Sequence, residues 1–164
     1  MIEKSDFSSS FEPLIFQNTE ILILGSLPGK KSIELNQYYG HSRNRIWSIL
    51  SYLKEEETLT NYENKKVFLN SFKIGLWDVA SSAIRKGSLD SNIKNERPND
   101  IDLLTKTNPS IKVIGFNGKK SEQMFYKFFK LNPAIKYVPL PSSSPANMAI
   151  NFENICKKWS QLFL

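Results

Sequence analysis

Four short apolar runs, spread along the whole chain, constrain its fold more than any other feature of the sequence. They cover residues 21–25, 72–77, 111–116 and 135–139. Each run is rich in Ile, Leu, Val or aromatic residues, as is typical of strands. Runs without polar alternation suit parallel strands that are covered on both faces. The runs therefore predict a short, mostly parallel four-stranded sheet.

The segments between these runs have the apolar periodicity of amphipathic helices. It is clearest over residues 44–54, 119–130 and 146–163, and shorter helices are predicted at 63–70 and 100–107. Strands that alternate with helices indicate an α/β fold, here a three-layer α/β/α sandwich with right-handed crossovers. In such folds the ligand lies outside the carboxyl ends of the strands. We therefore look for the chemistry in the loops that follow the strands.

The length of the chain suits one domain. Its 164 residues are enough for a single sizeable core, so we expect residues 1–164 to form one unit. Residues 1–19 are predicted to be an N-terminal arm packed on that unit, with Phe11 and Leu14 as its anchors.

The charge balance points to an acidic partner. The chain has 22 basic and 16 acidic residues and a net charge of +6, which suits nucleic acid. Many basic proteins bind no nucleic acid, so the charge alone leaves this open. No run of about 18 apolar residues occurs, and the N-terminus lacks the apolar centre of a signal peptide. We expect a cytoplasmic protein with no membrane contact.

The cysteine and histidine counts exclude several kinds of site. Cys156 is the only cysteine and His41 the only histidine. The chain can form no internal disulfide, and it lacks the ligands for a cysteine-held iron–sulfur cluster or a Cys/His zinc site. We expect no metal and no cofactor.

The loop after the first predicted strand contains an unusual string. Residues 25–29 read Gly-Ser-Leu-Pro-Gly, and residues 38–44 read Tyr-Tyr-Gly-His-Ser-Arg-Asn. Two glycines around a proline give a stiff loop whose backbone can approach a ligand closely. The five-residue loop alone also fits an ordinary βα turn, so the longer string carries the argument.

The loop after the last predicted strand is rich in serine. Residues 140–147 read Leu-Pro-Ser-Ser-Ser-Pro-Ala-Asn. Pro145 suits the first turn of a helix with Ser144 as its cap. Serine hydroxyls and a helix N-terminus both suit phosphate oxygens. A capped helix without any ligand is the alternative.

Taken together, the two strings resemble the two motifs of the uracil-DNA glycosylase superfamily. In that family the second motif enters the DNA minor groove and holds the gap left by a flipped base. The forms Tyr-Tyr-Gly-His-x-Arg-Asn and Ser-Pro-Ala-Asn look specifically like the hypoxanthine-DNA (deoxyinosine) glycosylase branch. Residues 75–79, 87–93 and 115–118 match that branch in type, and the resemblance runs from about residue 13 to the C-terminus.

This resemblance implies a monofunctional enzyme of base excision repair. It would flip a deaminated base, by preference hypoxanthine, out of DNA and hydrolyse the N-glycosidic bond, acting as a monomer. Three alternatives stay open: a glycosylase for mismatched uracil or thymine, a non-catalytic DNA-binding relative, and an enzyme of free nucleosides. Leu27 argues against the first, because the uracil-cleaving branches have Asp or Asn there. The loop at 142–147 argues against the last.

Two side chains are candidates for catalysis. Leu27 cannot orient a water molecule, so this role is predicted for Asn44, whose amide can donate and accept. A helix cap is the alternative for Asn44. His41 either donates to the leaving base or fixes the loop.

The remaining candidates bind the base or the DNA backbone. Tyr39 would stack on the base, while Asp78 and Asn92 would contact its edge or serve as turn residues. Ser144 and Pro145 would plug the gap in the duplex. The predicted base-binding residues are Gly25, Ser26, Leu27, Tyr39, Asp78 and Asn92. The predicted DNA-binding residues are Asn117, Gly118, Lys119, Ser142, Ser143, Ser144 and Pro145, with Lys30 and Lys31 as further phosphate contacts.

Overall fold

The computed structural model describes residues 2–164, apart from the side chain of Ser5. Its strands are β1 (Phe7–Ser9), β2 (Ile21–Gly25), β3 (Ile74–Asp78), β4 (Ala80–Ile84), β5 (Lys94–Pro98), β6 (Val113–Asn117) and β7 (Lys136–Leu140). Its α-helices are α1 (Lys30–Leu35), α2 (Ile46–Leu53), α3 (Tyr62–Ser71), α4 (Ile101–Thr107), α5 (Lys119–Phe128) and α6 (Phe152–Trp159).

The central sheet has four parallel strands in the order β3-β2-β6-β7. This confirms the predicted sheet. The strands β3, β6 and β7 begin one or two residues later than the apolar runs predict, because each run includes part of the preceding turn. Since all four strands point the same way, their carboxyl ends meet at one edge of the sheet.

Helices cover both faces of this sheet, so the predicted three-layer sandwich is also confirmed. On one face, Leu50 of α2, Leu69 of α3 and Trp159 of α6 pack in the core that contains Ile23. On the other face, α4 and α5 pack in the core that contains Phe116. None of the helices in the described part of the chain is long and apolar enough to cross a membrane.

A second, antiparallel sheet with the order β1-β4-β5 was not predicted. Its strands β4 and β5 read Ala-Ser-Ser-Ala-Ile and Lys-Asn-Glu-Arg-Pro, which lack a strong apolar pattern. Only Val79 separates β3 from β4, so the chain leaves the central sheet directly into the small one. The small sheet carries Arg85 to the carboxyl edge of the central sheet.

The N-terminal arm contacts the central sheet and the loop before α2 through Leu14 and Phe11. Leu14 and Leu76 exchange two backbone hydrogen bonds of 2.8 and 2.9 Å. The ring of Phe11 packs edge-on against Tyr38, and its carbonyl accepts a hydrogen bond from the Trp77 indole at 3.0 Å. The arm therefore supports the loop that precedes α2.

The start of the last helix differs from the prediction. Its N-cap is Asn151, whose side chain accepts a hydrogen bond from the Asn154 amide at 2.8 Å. Ser144 caps only a turn, where its hydroxyl accepts from the Ala146 amide at 3.2 Å. Pro145 is therefore not in the first turn of a helix. Residues 144–151 form a loop instead. In this loop the Asn147 and Ile150 carbonyls accept hydrogen bonds from the Arg45 side chain.

Candidate active site

A cavity of about 350 Å³ lies at the carboxyl edge of the central sheet. This volume is typical of a small-molecule site. Most of the predicted site residues line it: Gly25, Ser26, Leu27, Tyr39, His41, Asn44, Asp78, Asn117, Ser142, Ser143, Ser144 and Pro145. Asn92, Gly118 and Lys119 do not line this cavity.

Three side chains join the first and last loops of the site. The Asn117 amide donates to the Ser143 hydroxyl at 2.9 Å, and its Oδ1 accepts from the Ser143 backbone amide at 2.9 Å. The Ser143 hydroxyl in turn donates to Asn44 Oδ1 at 2.8 Å. This chain of bonds fixes the orientation of the Asn44 amide, because the serine proton must point at an oxygen.

Asn44 also contacts the first residue of α2. Its Oδ1 also accepts from the Ile46 backbone amide at 3.0 Å, which satisfies one free N–H at the start of α2. Its Nδ2 has no protein partner among the described residues, and Asn44 lines the cavity. The Asn44 amide is thus held in a fixed orientation beside the cavity.

His41 is exposed at the rim of the cavity. Its Nδ1 accepts a hydrogen bond from the Arg43 amide at 3.1 Å, and its carbonyl accepts from the Asn44 amide at 2.9 Å. In the neutral ring the proton therefore resides on Nε2. His41 shapes the loop and still offers a donor.

Three side chains that line the cavity have a buried polar atom without a hydrogen-bond partner among the described residues: Arg85 at Nε, Asp78 at Oδ2 and Tyr39 at its hydroxyl oxygen. Asp78 and Tyr39 form a pair. Both side chains approach Gly25, where an added Cβ would lie 2.5 Å from Asp78 Oδ1 and 3.0 Å from the Tyr39 hydroxyl. Only glycine at position 25 leaves room for them. Since buried polar groups are normally satisfied, this pair suits a ligand that offers both a hydrogen-bond donor and an acceptor.

Burial raises the pKa of Asp78 to about 7. The nearby Arg85 guanidinium lowers this pKa and the Asp90 carboxylate raises it. Burial and the charge of Asp78 also raise the pKa of Tyr39, while the neighbouring Asn117 amide lowers it. Asp78 is therefore a carboxyl that changes charge near neutral pH, while the Tyr39 hydroxyl keeps its proton.

Sequence reasoning missed Arg85, which is buried beside the cavity. Its Nη2 donates to the Pro28 carbonyl, and its Nη1 lies 3.5 Å from Asp90 Oδ1. The same Asp90 oxygen accepts from the Ser26 hydroxyl at 2.6 Å. Arg85 thus fixes the Gly-x-x-Pro-Gly loop. No local pattern marks it, because it follows a strand that was itself not predicted.

Arg45 is a second residue whose role the sequence did not indicate. Its Nη1 and Nη2 each donate at 2.8 Å, to the carbonyls of Ile150 and Asn147, and its backbone amide donates to Ser143 at 3.0 Å. These bonds fix the position of the serine-rich loop beside the cavity. An arginine in a DNA-binding motif suggests a phosphate contact, so its internal role could be found only in the structure.

Several predicted DNA contacts are internal instead. Ser143 is fully buried, and Asn117 is bonded to it, so neither side chain reaches a phosphate. The Gly118 amide donates to the Leu140 carbonyl at 3.1 Å and is not free for one. Lys119 is exposed but lies outside the cavity. Ser142, Ser144 and Pro145 are half-buried at the rim.

Asn92 is also outside the cavity. Its side chain is exposed and donates to the Lys86 carbonyl at 3.0 Å, as a turn residue does. The base-edge role predicted for Asn92 therefore has no support in the geometry. Among the described residues, no group of three His, Cys, Asp or Glu side chains could hold a metal ion.

An α/β/α fold with a cavity of this size at the carboxyl ends of its strands is typical of a protein that binds a small molecule or a small part of a larger one there. A profile of the uracil DNA glycosylase superfamily matches residues 13–162. The chain belongs to the uracil DNA glycosylase superfamily.

Relatives and a solved structure agree with this assignment. The chain is 48% identical over 112 residues to a hypoxanthine DNA glycosylase from Methanosarcina barkeri, covering 68% of this chain and 71% of the relative. It is 38% identical over 154 residues to a hypoxanthine DNA glycosylase from Methanosarcina acetivorans, covering 93% and 96%. A solution NMR structure from Methanosarcina acetivorans, provisionally described as a uracil DNA glycosylase, superposes with a TM-score of 0.81 at 36% identity and 96% coverage of each chain.

Proposed function

We propose that this chain is a monofunctional DNA glycosylase that flips deoxyinosine out of DNA and releases hypoxanthine. Two relatives carry the name hypoxanthine DNA glycosylase, and both are more than a third identical to this chain. The single observation that carries the proposal is the buried, unpartnered pair formed by the Asp78 carboxyl and the Tyr39 hydroxyl.

This pair matches the edge that deamination creates on adenine. Hypoxanthine presents an N1–H donor beside the O6 acceptor, whereas adenine presents an N1 acceptor beside an amino donor. An ionised Asp78 would accept from N1–H, and the Tyr39 hydroxyl would donate to O6. Adenine would place a lone pair against the carboxylate and leave the hydroxyl without an acceptor, which is unfavourable in a buried site. The contacts thus favour the deaminated base.

The hydrolysis needs a positioned water and a stabilised leaving group. The Asn44 Nδ2 donor would hold the water that attacks C1′, and the His41 Nε2–H would donate to the departing base. The bond from C1′ to the water oxygen forms as the bond to N9 breaks. The base leaves with the bonding electrons and takes up a proton, so the products are hypoxanthine and an abasic site.

The DNA backbone would lie across the rim of the cavity. Ser142 and Ser144 offer hydroxyls there, and Lys30 and Lys31 offer positive charge. Pro145 would fill the gap left by the flipped nucleotide. We further propose that residues 1–164 act as one domain and as a monomer, in the cytoplasm.

Uracil is the second candidate base, because its N3–H and O4 present the same donor and acceptor to Asp78 and Tyr39. Leu27 opposes it: this side chain lines the cavity and is buried, and it offers no polar contact to water or base.

The test is incubation of the protein with labelled oligonucleotides that carry deoxyinosine, deoxyuridine, deoxyxanthosine or deoxyadenosine. Alkali then cleaves any abasic sites. We expect strand breaks with deoxyinosine, only after alkali, and none with deoxyadenosine. No cleavage of any deaminated substrate would contradict the glycosylase assignment. Breaks without alkali would contradict the monofunctional mechanism.

A further inference from the structure

A second concave surface lies next to the cavity, beyond the edge strand β7. We call it the lysine groove; its volume is about 1320 Å³. Its walls come from the end of β7, the start of α5, the loop after Asn147 and the outer side of α6. Three lysines line it: Lys119, Lys157 and Lys158.

The three lysines leave the groove with an excess of positive charge. All three are exposed, and none forms an ion pair among the described residues. One carboxylate, that of Glu122, also lines the groove. By contrast, Lys120 and Lys127 nearby both face Glu96, at 3.8 and 3.4 Å. The lysines that line the groove therefore keep their charge unpaired, unlike these two neighbours.

The groove adjoins the active-site cavity. Ser142 and Asn147 line both concavities, so the serine-rich loop is a ridge between them. Met148, on the groove side of this ridge, is 75% exposed. A flexible apolar side chain beside lysines suits a partner that carries both negative charge and apolar flat faces.

We propose that the lysine groove binds the DNA strand that continues from the flipped nucleotide. This inference rests on the proposed function, since a base in the cavity defines where that strand leaves the ridge. Phosphates of the strand contact Lys157 and Lys158, and a sugar or base packs on Met148. The groove holds the flanking nucleotides while the cavity holds the target, so it contributes to binding and not to the chemical step.

The experiment compares the variant Lys157→Ala/Lys158→Ala with a matched control, Lys106→Ala/Lys112→Ala. Lys112 directly precedes β6 and Lys106 lies in the last turn of α4, so the control removes the same charge from the opposite edge of the sheet. The Kd is measured as a function of salt on a single strand and on a duplex, each with a central abasic site. Single-turnover release of hypoxanthine is measured at saturating DNA.

We expect the groove variant to bind both the single strand and the duplex about tenfold more weakly than the control, with a salt slope smaller by about 1.4 on the single strand. The saturated cleavage rate should be unchanged. Equal Kd values for groove variant and control would overturn the inference. So would a defect on the duplex alone, which would assign the groove to the opposite strand.

Failure of the proposed function has a different signature. If the wild-type protein released no hypoxanthine, the Kd comparison on abasic DNA would still support or overturn the groove by itself.

Discussion

At the scale of single residues, the Asp78 carboxyl explains most about the site. A carboxyl without a hydrogen-bond partner is costly to bury, and this one shares its enclosure with the Tyr39 hydroxyl. Strong shifts of pKa in a cleft are characteristic of functional groups. The cost is offset when a base with an N–H donor and a carbonyl acceptor occupies the cavity.

The first prediction concerns the charge of Asp78. Because burial raises its pKa to about 7, kcat/KM for deoxyinosine should rise with pH through this value and then level off. Asp78→Leu removes the acceptor and should lower kcat/KM about 10- to 100-fold at pH 8. Asp78→Asn keeps an acceptor and should retain part of the activity without the pH limb. A limb that persists in Asp78→Asn would assign the titration to another group.

The same group should affect stability in a defined direction. The folded-state pKa of Asp78 is above that of an unfolded carboxyl, 3.8, so its favourable contribution is complete below pH 3.8 and is lost as pH rises through about 7. Asp78→Asn should therefore stabilise the protein more at pH 8 than at pH 5, by roughly 2 kcal/mol. Urea unfolding of the wild-type protein and of Asp78→Asn at the two pH values measures this difference.

The second prediction concerns Leu27, which lines the cavity and is 6% exposed. Leu27→Asn should raise release of uracil, because a polar amide there can hold the attacking water. Its burial should cost about 1–3 kcal/mol of stability. The measurement is single-turnover cleavage of deoxyuridine DNA, with Leu27→Met as a control of similar volume. If the folded Asn variant gains nothing on uracil, the shape of the cavity excludes that base.

At the residue scale, the sequence predicted which residues line the cavity better than it predicted their hydrogen-bond partners. Asn44, Tyr39 and Asp78 follow strands or belong to motifs, and all three line the cavity. The internal bonds of Ser143 and Arg45 join positions about a hundred residues apart, which no local pattern indicates.

At the scale of elements, the serine-rich loop is the part of the site that depends most on hydrogen bonds from elsewhere in the chain. It has no regular structure between β7 and α6, and its carbonyls at Asn147 and Ile150 are held by Arg45. The loop also divides the cavity from the lysine groove. Its position should therefore decide both catalysis and DNA binding.

The third prediction follows from this support. Arg45→Met should lower stability by about 1–3 kcal/mol, because two carbonyls lose charged donors. It should also speed hydrogen exchange of amides in residues 143–150 and slow hypoxanthine release. Arg43→Met is the control, because Arg43 is exposed. Indistinguishable exchange in the two variants would contradict the role given to Arg45.

The strands β2, β3 and β6 were predictable because their residues are mostly buried on both faces, which leaves a continuous apolar run. The small antiparallel sheet was not, because β5 is polar and largely exposed. The last helix was placed too early because Ser144-Pro145 has the chemistry of a helix start. In the structure, the Asn147 and Ile150 carbonyls of that segment accept hydrogen bonds from the Arg45 side chain and not from helical backbone amides.

At the scale of the whole molecule, one edge of one sheet carries both surfaces that the proposed activity needs. The cavity lies over β2, β3 and β6, and the lysine groove continues past β7. The net charge of +6 favours approach to DNA. Specificity then depends on the cavity, and affinity on the rim and the groove.

The most direct test of this account is single-turnover release of free hypoxanthine from deoxyinosine DNA by the wild-type protein and by Asn44→Ala. Thermal unfolding and DNA binding are measured on the same samples. We predict that Asn44→Ala slows release about 10²- to 10⁴-fold, because the Asn44 Nδ2 positions the water. DNA binding should be nearly unchanged, because Asn117 and Arg45 still hold the serine-rich loop. A normal rate of release, with only the lower melting temperature expected from the lost hydrogen bonds of Asn44 Oδ1, would contradict the account.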